Sequence, residues 1–269
     1  IRLSLVGSEM CIRDREEVKR RGIDIFVAVD VSLSMLAEDI KPNRLEKAKH
    51  ELMGLINRLE GDRIGLIAFA GEAFVQCPLT LDYGAAKMFL DIMNPELIPV
   101  QGTAIGNAIE KAIQSFVQTE RKHKVLVIIT DGEDTIEDPM PAAEMAEKEG
   151  IVIYTVGIGS PQGVPIPLYD ASGRQIGYKK DENNTVVTSK LDQITLEKIA
   201  LQTHGKYYNA TPSELELGKI YEAISGMEEK ELSARIFSQY EDRFQYFLFL
   251  ALVLLFLDCL LYTSDAADE

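Results

Sequence analysis

Apolar runs that alternate with helical patterns constrain the fold of this chain most. Four runs are apolar almost throughout and rich in β-branched residues, which is typical of strands buried on both faces of a sheet. They are IDIFVAVD (Ile23–Asp30), RIGLIAFA (Arg63–Ala70), VLVIIT (Val125–Thr130) and IVIYTV (Ile151–Val156). Helical patterns are found at Asn43–Leu59, Asp82–Met93, Ala104–Val117, Pro139–Glu149, Leu191–Thr203 and Ser213–Lys230. Because parallel strands need crossover connections, this alternation predicts a doubly wound, mostly parallel α/β sheet.

One short link predicts an antiparallel pair at the edge of this sheet. Only Gly71 and Glu72 separate the strand Arg63–Ala70 from a further strand pattern at Ala73–Thr80, and links this short join antiparallel strands. Lys206–Asn209 is a sixth, short strand pattern. The sequence therefore predicts a six-stranded sheet in which Ala73–Thr80 is the antiparallel edge strand.

The charge balance excludes one class of partner. Among 269 residues, 28 are Lys or Arg and 43 are Asp or Glu, which gives a formal net charge of −15. Such an acidic chain is not built to bind nucleic acid through phosphates, so cations, metals or basic surfaces are the expected partners. The three cysteines, Cys11, Cys77 and Cys259, are far apart, and their spacing suggests neither a zinc site nor a disulfide framework.

The two ends do not read like the middle of the chain. Residues 1–15 and 259–269 resemble translated adapter or vector sequence, and we expect them to be non-native flanks. The folded domain is then expected over residues 16–230, with an insertion at about 160–190. Removing both flanks removes three basic and five acidic residues, so the acidic excess belongs to the domain itself.

An apolar run near the end predicts a membrane anchor. Phe244–Leu257 reads FQYFLFLALVLLFL, has no polar face and begins with aromatic residues suited to a membrane interface. We expect a transmembrane helix over residues 244–261, cut short by the flank, after a juxtamembrane linker helix at 231–243. Its length also permits a buried core helix or a docking segment.

Polar side chains follow the predicted strands where a ligand site is expected. The first strand ends in Asp30-Val31-Ser32-Leu33-Ser34, and Thr130-Asp131-Gly132 ends the strand Val125–Thr130. Gly102-Thr103 opens a helix that could face the same crevice. Because parallel strands deliver their carboxyl ends to one edge, we expect five oxygen donors to converge there. These donors are the candidate metal ligands Asp30, Ser32, Ser34, Thr103 and Asp131.

The chemistry of these donors indicates the ion. Carboxylate and hydroxyl oxygens favour Mg²⁺, with Mn²⁺ or Ca²⁺ as alternatives, over zinc or copper. Two carboxylates leave such an ion under-compensated, so an open position should attract a carboxylate from outside. Taken singly, Thr103 or Asp131 could instead be an ordinary helix cap. The ordered combination is what favours a metal site.

Enzymatic alternatives have little support in the sequence. A metal-dependent hydrolase would need a base, and Glu133 is the nearby candidate. No phosphate-binding loop GxxxxGK[ST] and no GxSxG nucleophile motif is present, so we predict no catalytic residues and no enzyme. A structural scaffold with a vestigial metal site stays open as a third reading.

The combination of Asp30-x-Ser32-x-Ser34, Gly102-Thr103 and Thr130-Asp131-Gly132 resembles the metal-ion-dependent adhesion site of von Willebrand factor type A (VWA) domains. The resemblance implies that Ser32 and Ser34 bind the metal directly, and that Thr103 and the two aspartates bind directly or through water. It also implies protein–protein interaction through a partner carboxylate.

A closer resemblance is to the membrane-anchored Bat aerotolerance proteins of bacteria. It rests on VDVSLSMLAEDIKPNRLEKAK, RIGLIAFAGEAFVQCPLTLDY, GTAIGNAI and SQYEDRFQYFLFLALVLLFL. That resemblance implies an inner-membrane protein with a periplasmic VWA domain. The partners it implies are a MoxR-type AAA ATPase system and other Bat-type VWA proteins.

The expected insertion carries one further hypothesis. It follows the strand Ile151–Val156, so it should leave the sheet at the metal-bearing edge, and Arg174–Lys180 could form a small hairpin within it. We expect the insertion to be part of a partner-recognition rim beside the metal, although it could be only a padded connection.

Overall fold

The computed structural model of the chain describes most of the predicted domain and a few residues beyond it. The described residues are 22–100, 102–116, 123–133, 138–170, 174–181, 183–210, 217–225, 249 and 252–255. The chain divides into two compact units, Ile1–Ser225 and Gly226–Glu269.

The described strands form one large sheet and two small ones. In chain order they are β1 (Asp24–Asp30), β2 (Arg63–Phe69), β3 (Ala73–Thr80), β4 (Lys124–Thr130), β5 (Ile151–Ile158), β6 (Val164–Pro165), β7 (Pro167–Tyr169), β8 (Gln175–Tyr178), β9 (Thr188–Ser189) and β10 (Tyr207–Ala210). The large sheet has six of them in the order β10-β5-β4-β1-β2-β3. Its neighbours are parallel except for β2 and β3, which are antiparallel. The predicted six-stranded sheet with one antiparallel edge strand is therefore confirmed.

The helices begin close to the residues that the sequence predicted. They are α1 (Arg44–Ile56), α2 (Tyr83–Asp91), α3 (Ile105–Phe116), α4 (Met140–Lys148), α5 (Gln193–Gln202) and α6 (residues 217–225), with short 3₁₀ turns at Leu33–Leu36 and Pro95–Leu97. Side chains cap three of them, because Asn43, Asp82 and Asp192 accept hydrogen bonds from amides in the first turns of α1, α2 and α5. These caps satisfy amides that have no partner within the helix.

The core lies on both faces of the large sheet. Successive residues of a strand point to opposite faces, so Ile25, Val27 and Val29 pack in one apolar cluster while Phe26 and Ala28 pack in the other. The first cluster also contains residues of α1, α2 and α6, and the second contains residues of α3, α4 and α5. Helices on both faces explain why the strands are apolar throughout rather than alternating.

The insertion is built from two small antiparallel pairs. Strand β6 pairs with β9, and β7 pairs with β8. Arg174–Lys180 therefore supplies one strand rather than a hairpin of its own, and the partner strand is Pro167–Tyr169, which precedes it in the chain. Strands of two to four residues carry too little side-chain pattern for their pairing to be read from sequence.

Few residues of the second unit are described. Phe249 and residues 252–255 are helical, and their apolar side chains are exposed. Within the residues that the structure describes, none of the helices combines the length and the apolar character needed to cross a lipid bilayer. The predicted flanks, the linker at 231–243 and most of the predicted membrane helix at 244–261 lie outside the described residues.

Candidate metal centre

The central strands bring the two predicted carboxylates together. β1 and β4 are parallel neighbours whose register runs to Val29 opposite Ile129, so Asp30 ends one strand beside the end of the other. The Thr130 hydroxyl donates a hydrogen bond to Asp30 Oδ2 over 2.6 Å. Asp131 follows Thr130 directly, and Asp30 and Asp131 are fully buried. Two of the five predicted donors, Asp30 and Asp131, therefore lie together at the carboxyl edge of the sheet.

The loop after β1 aims the two serine hydroxyls at each other. The Ser32 amide donates to Asp30 Oδ1 over 2.8 Å, which closes a tight turn of the kind that Asp side chains stabilise. The Ser32 and Ser34 hydroxyl oxygens are then 2.7 Å apart, and both side chains are largely buried. Two hydroxyls and a carboxylate thus lie within five residues of chain.

Thr103 enters the same edge of the sheet from the loop before α3. The Ala104 amide donates to the carbonyl of Ala70, and the Val31 amide donates to the carbonyl of Phe69, each over 2.8 Å. Two of the three loops that carry predicted ligands are therefore attached to consecutive residues at the end of β2. Thr103 is 3% exposed, so its hydroxyl faces protein rather than bulk solvent.

The buried carboxylates act on each other electrostatically. Burial and the negative charge of Asp131 together raise the pKa of Asp30 to about 7, against the opposing effect of hydrogen bonds from Thr130 and Ser32. A cation at this edge would remove that repulsion, since an opposite charge stabilises the ionised form of a carboxylate.

The sequence did not identify a buried arginine at this site. Arg44, the first residue of α1, has no exposed surface, and its Nη1 donates to Asp131 Oδ2 over 3.1 Å. The same nitrogen donates to the Ser189 hydroxyl over 2.6 Å, and Ser189 donates to Asp131 Oδ2 over 2.8 Å. One weak signal existed, because a cation in the first turn of a helix opposes the helix dipole. Ser189 gave no signal, since it lies in a short strand of the insertion.

Glu133 is held by the insertion. The Lys190 amide donates to Glu133 Oε1 over 2.8 Å, and burial raises the pKa of this carboxyl group. One oxygen of the candidate base therefore supports the loop connection. This arrangement gives no support to a hydrolytic role.

The donor set suits a hard divalent cation. Among the residues described, no group of three or more His, Cys, Asp and Glu side chains is placed to hold a metal, so a site here depends on hydroxyl oxygens as well as on Asp30 and Asp131. Oxygen donors of this kind fit Mg²⁺, Mn²⁺ or Ca²⁺ better than zinc or copper. The residues present are therefore compatible with the predicted ion.

The family profile of the von Willebrand factor type A domain matches residues 24–223, which include the whole six-stranded sheet and all five predicted ligands. The chain belongs to this family. The predicted fold of the VWA domain is thereby confirmed.

Relatives of this VWA domain include Bat-type proteins. The crystal structure of the conserved hypothetical protein BatB from Bacteroides thetaiotaomicron is 37% identical, with a TM-score of 0.72, and the match covers 78% of this chain and all of that one. An aerotolerance-related membrane protein from Bacteroides fragilis is 38% identical, with a TM-score of 0.70 and the same coverage. A UPF0353 protein of Nocardia farcinica is 30% identical over 229 residues. The match covers 78% of this chain but only 64% of the length of that protein. The resemblance to Bat-type proteins is confirmed.

The insertion of this VWA domain is attached to the candidate metal centre at both ends. At its start, the Ser160 amide donates to Asp39 Oδ2 over 2.8 Å, and at its end Ser189 and Lys190 bond to Asp131 and Glu133. Between the ends, the Tyr169 hydroxyl donates to Glu38. The predicted position beside the metal-bearing edge is therefore present, and the recognition role stays a prediction.

Proposed function

We propose that this VWA domain binds a divalent cation and uses it to hold a carboxylate of a protein partner. Asp30, Ser32, Ser34, Thr103 and Asp131 are the residues that would hold the cation. Mg²⁺ is the first choice, and Mn²⁺ or Ca²⁺ would suit the same oxygen donors. The observation that carries the proposal is the convergence of two buried carboxylates with a close pair of serine hydroxyls.

Charge supports the partner's chemistry. The chain has a formal net charge of −15, so an acidic group of a partner would be repelled without an intervening cation. When bound, the ion would supply positive charge and open coordination positions. The protein's residues hold only part of the compensating charge, because Asp131 is already paired with Arg44. A partner carboxylate can supply the rest.

The cellular setting belongs to the proposal as well. We place the protein in the bacterial inner membrane, anchored by a C-terminal helix at 244–261, with its VWA domain in the periplasm. The 37% and 38% identity to BatB and to an aerotolerance-related membrane protein supports this placement. The resemblance of the sequence to Bat-type proteins implies a MoxR-type ATPase system and other Bat-type VWA proteins as partners.

Calorimetric titration of Mg²⁺ into the full chain tests the metal site. Ser32→Ala and Ser34→Ala should each weaken Mg²⁺ binding at least about tenfold, since each removes one oxygen donor. Ser115→Ala is the matched control, because this hydroxyl donates to the Lys111 carbonyl within α3, away from the candidate metal centre. A parent protein that shows no Mg²⁺-dependent heat or stabilisation would refute the proposal.

A second titration tests the carboxylate. Acetate should tighten Mg²⁺ binding to the parent protein, and Mg²⁺ should be required for any acetate effect on stability. The same amount of chloride is the control for ionic strength. If acetate and chloride act alike, the ion does not hold outside carboxylates, even if it binds.

The recognition role of the insertion needs its own variant. With a partner in hand, Mg²⁺-dependent binding should fall in a variant that lacks Gln162–Thr188, while Mg²⁺ binding by the protein persists. Unchanged partner binding in a folded deletion variant would show that the insertion is only a connection.

A further inference from the structure

The carboxylate of Asp131 is divided between two uses. Its Oδ2 accepts hydrogen bonds from Arg44 Nη1 and from the Ser189 hydroxyl. Among the described residues, its Oδ1 has a single long contact, 3.4 Å, with the Glu133 amide. One oxygen is therefore committed to a cation inside the protein, and the other retains most of its capacity as an acceptor.

Asp30 is held differently, although it is equally buried. Its two oxygens accept from the Ser32 amide and the Thr130 hydroxyl, and both of these donors are neutral. Arg44 therefore compensates one of the two carboxylates of the candidate metal centre and has no hydrogen bond to the other among those described.

Arg44 is fixed in place. Its Nε and Nη2 donate to the two oxygens of Asp39, each over 2.8 Å. Although burial of Asp39 acts against it, this pairing keeps the pKa of Asp39 below its usual value. Gly159 closes the other side, where an added Cβ would lie 2.8 Å from the guanidinium carbon. With no exposed surface and both sides occupied, the guanidinium cannot swing into solvent when a second cation arrives.

We infer that the fixed positive charge of Arg44 keeps the affinity of the candidate metal centre for Mg²⁺ low until a carboxylate from outside is present. This inference rests on the proposed function. Arg44 neutralises the charge of Asp131 and occupies its Oδ2, so Oδ1 is the oxygen of Asp131 that can bind a metal. Among the five predicted ligands, Asp30 is then the one carboxylate with no cation bonded to it. A dication there keeps excess positive charge, which an outside carboxylate can balance. Arg44 is thus a positioning residue that makes metal binding and carboxylate binding depend on each other.

The test compares charge removal at Arg44 with charge removal at a matched pair. Arg44→Gln removes the cation but keeps an amide that can donate to Asp131. Arg63→Gln removes the guanidinium of the Arg63–Asp24 ion pair, which lies at the opposite end of the sheet. Mg²⁺ is titrated into each full chain with and without acetate, and thermal unfolding is followed with and without Mg²⁺.

Arg44→Gln should bind Mg²⁺ at least about tenfold more tightly than the parent protein without acetate, because a like charge next to the ion has gone. The gain in affinity that acetate gives the parent should shrink. Arg63→Gln should match the parent in both titrations. The melting temperature of Arg44→Gln should be lower without Mg²⁺ and should rise more on adding it than that of the parent, since Asp131 then depends on the added ion.

The outcomes separate this inference from the proposed function. If the parent binds Mg²⁺ and folded Arg44→Gln binds it equally or more weakly, the inference is wrong and the proposed function stands. If neither protein binds Mg²⁺, both are wrong. Should Arg44→Gln fail to fold without metal, Arg44→Lys is measured instead. This variant keeps the positive charge but loses the bidentate pair with Asp39. Mg²⁺ affinity like that of the parent would support a role of the charge, and a tenfold change in affinity would contradict it.

Discussion

The two ends of the central sheet each carry a buried aspartate paired with an arginine, and the pairs differ in one respect. At the amino end, Arg63 Nε and Nη2 donate to Asp24 Oδ1 and Oδ2 over 2.7 and 2.6 Å. At the carboxyl end, Arg44 makes a bidentate pair with Asp39 through Nε and Nη2, and it contacts Asp131 through Nη1 alone. Both oxygens of Asp24 are used, while Asp131 keeps one oxygen largely free.

This difference separates an ion pair that uses both carboxylate oxygens from one that leaves an oxygen available to a ligand. A bidentate arginine uses both oxygens of a carboxylate and fixes its geometry, so the Asp24–Arg63 pair joins the starts of β1 and β2. Arg44 is fixed by Asp39 and makes one hydrogen bond to Asp131, so it compensates the charge of that carboxylate without using both of its oxygens. The same two residue types therefore occupy both carboxylate oxygens at one end of β1 and leave one oxygen available beside the other.

The largest effect is expected at the amino end. Arg63→Met should lower the free energy of unfolding by about 3 kcal/mol, because it leaves the fully buried Asp24 carboxylate without its guanidinium. Mg²⁺ affinity should not change. Chemical denaturation and calorimetry measure the two quantities. A loss of Mg²⁺ affinity in this variant would show that the two ends are not independent.

The next effect concerns the carboxyl end. Asp30→Asn should weaken Mg²⁺ binding about 100-fold, equivalent to about 2.7 kcal/mol, since it removes the uncompensated negative charge of the candidate metal centre. Metal-free stability above pH 7 should not fall, because a buried charge is removed from an isosteric side chain. Calorimetry and denaturation in chelator check both statements. Parent-like Mg²⁺ affinity would exclude Asp30 as a ligand.

The pH dependence of the parent protein should report on Asp30 at the carboxyl end. The pKa of Asp30 is raised to about 7 by burial and by Asp131, whereas a free Asp has a pKa of about 3.9. Between these values the folded state holds a proton that the unfolded chain releases. This group's contribution to metal-free stability is therefore present below about pH 4 and is lost as pH rises through 7.

Proton competition also predicts that apparent Mg²⁺ affinity falls up to about tenfold per pH unit below 7. Titrations of Mg²⁺ at several pH values, in the parent and in Asp30→Asn, measure this slope, with the Asn variant as the control that lacks it. Equal slopes in the two proteins would assign the proton to another group, such as Glu133.

The smallest effect tests how firmly Arg44 is held. Asn43 caps α1 by accepting from the Glu46 amide over 2.8 Å, so Asn43→Ala should lower the free energy of unfolding by about 1 kcal/mol. Mg²⁺ affinity should stay within twofold, because the contacts of Arg44 with Asp39, Asp131 and Ser189 do not depend on the cap. A larger change in affinity would mean that the start of the helix positions Arg44.

Part of the site was predictable because it follows the strands. Asp30 and Asp131 end buried apolar runs, and the rule that parallel strands share one carboxyl edge brings them together without any coordinates. Arg44 and Ser189 were not predictable in this way. Arg44 is separated from Asp131 by 87 positions and from Ser189 by 145, and its unusual place in the first turn of α1 does not indicate which residues it contacts.

The layered fold, the antiparallel edge strand and the edge where oxygen donors are expected could all be predicted, because they follow from local hydrophobic patterns and from chain connectivity. The balance of charges at the site could not, because it depends on three-dimensional packing. An arginine on a helix is ordinarily a solvated surface residue, and here packing against Asp39, Gly159 and the insertion buries it beside Asp131. Such compensation depends on distance in space rather than on position in the chain, so the sequence pattern does not specify which charges are paired.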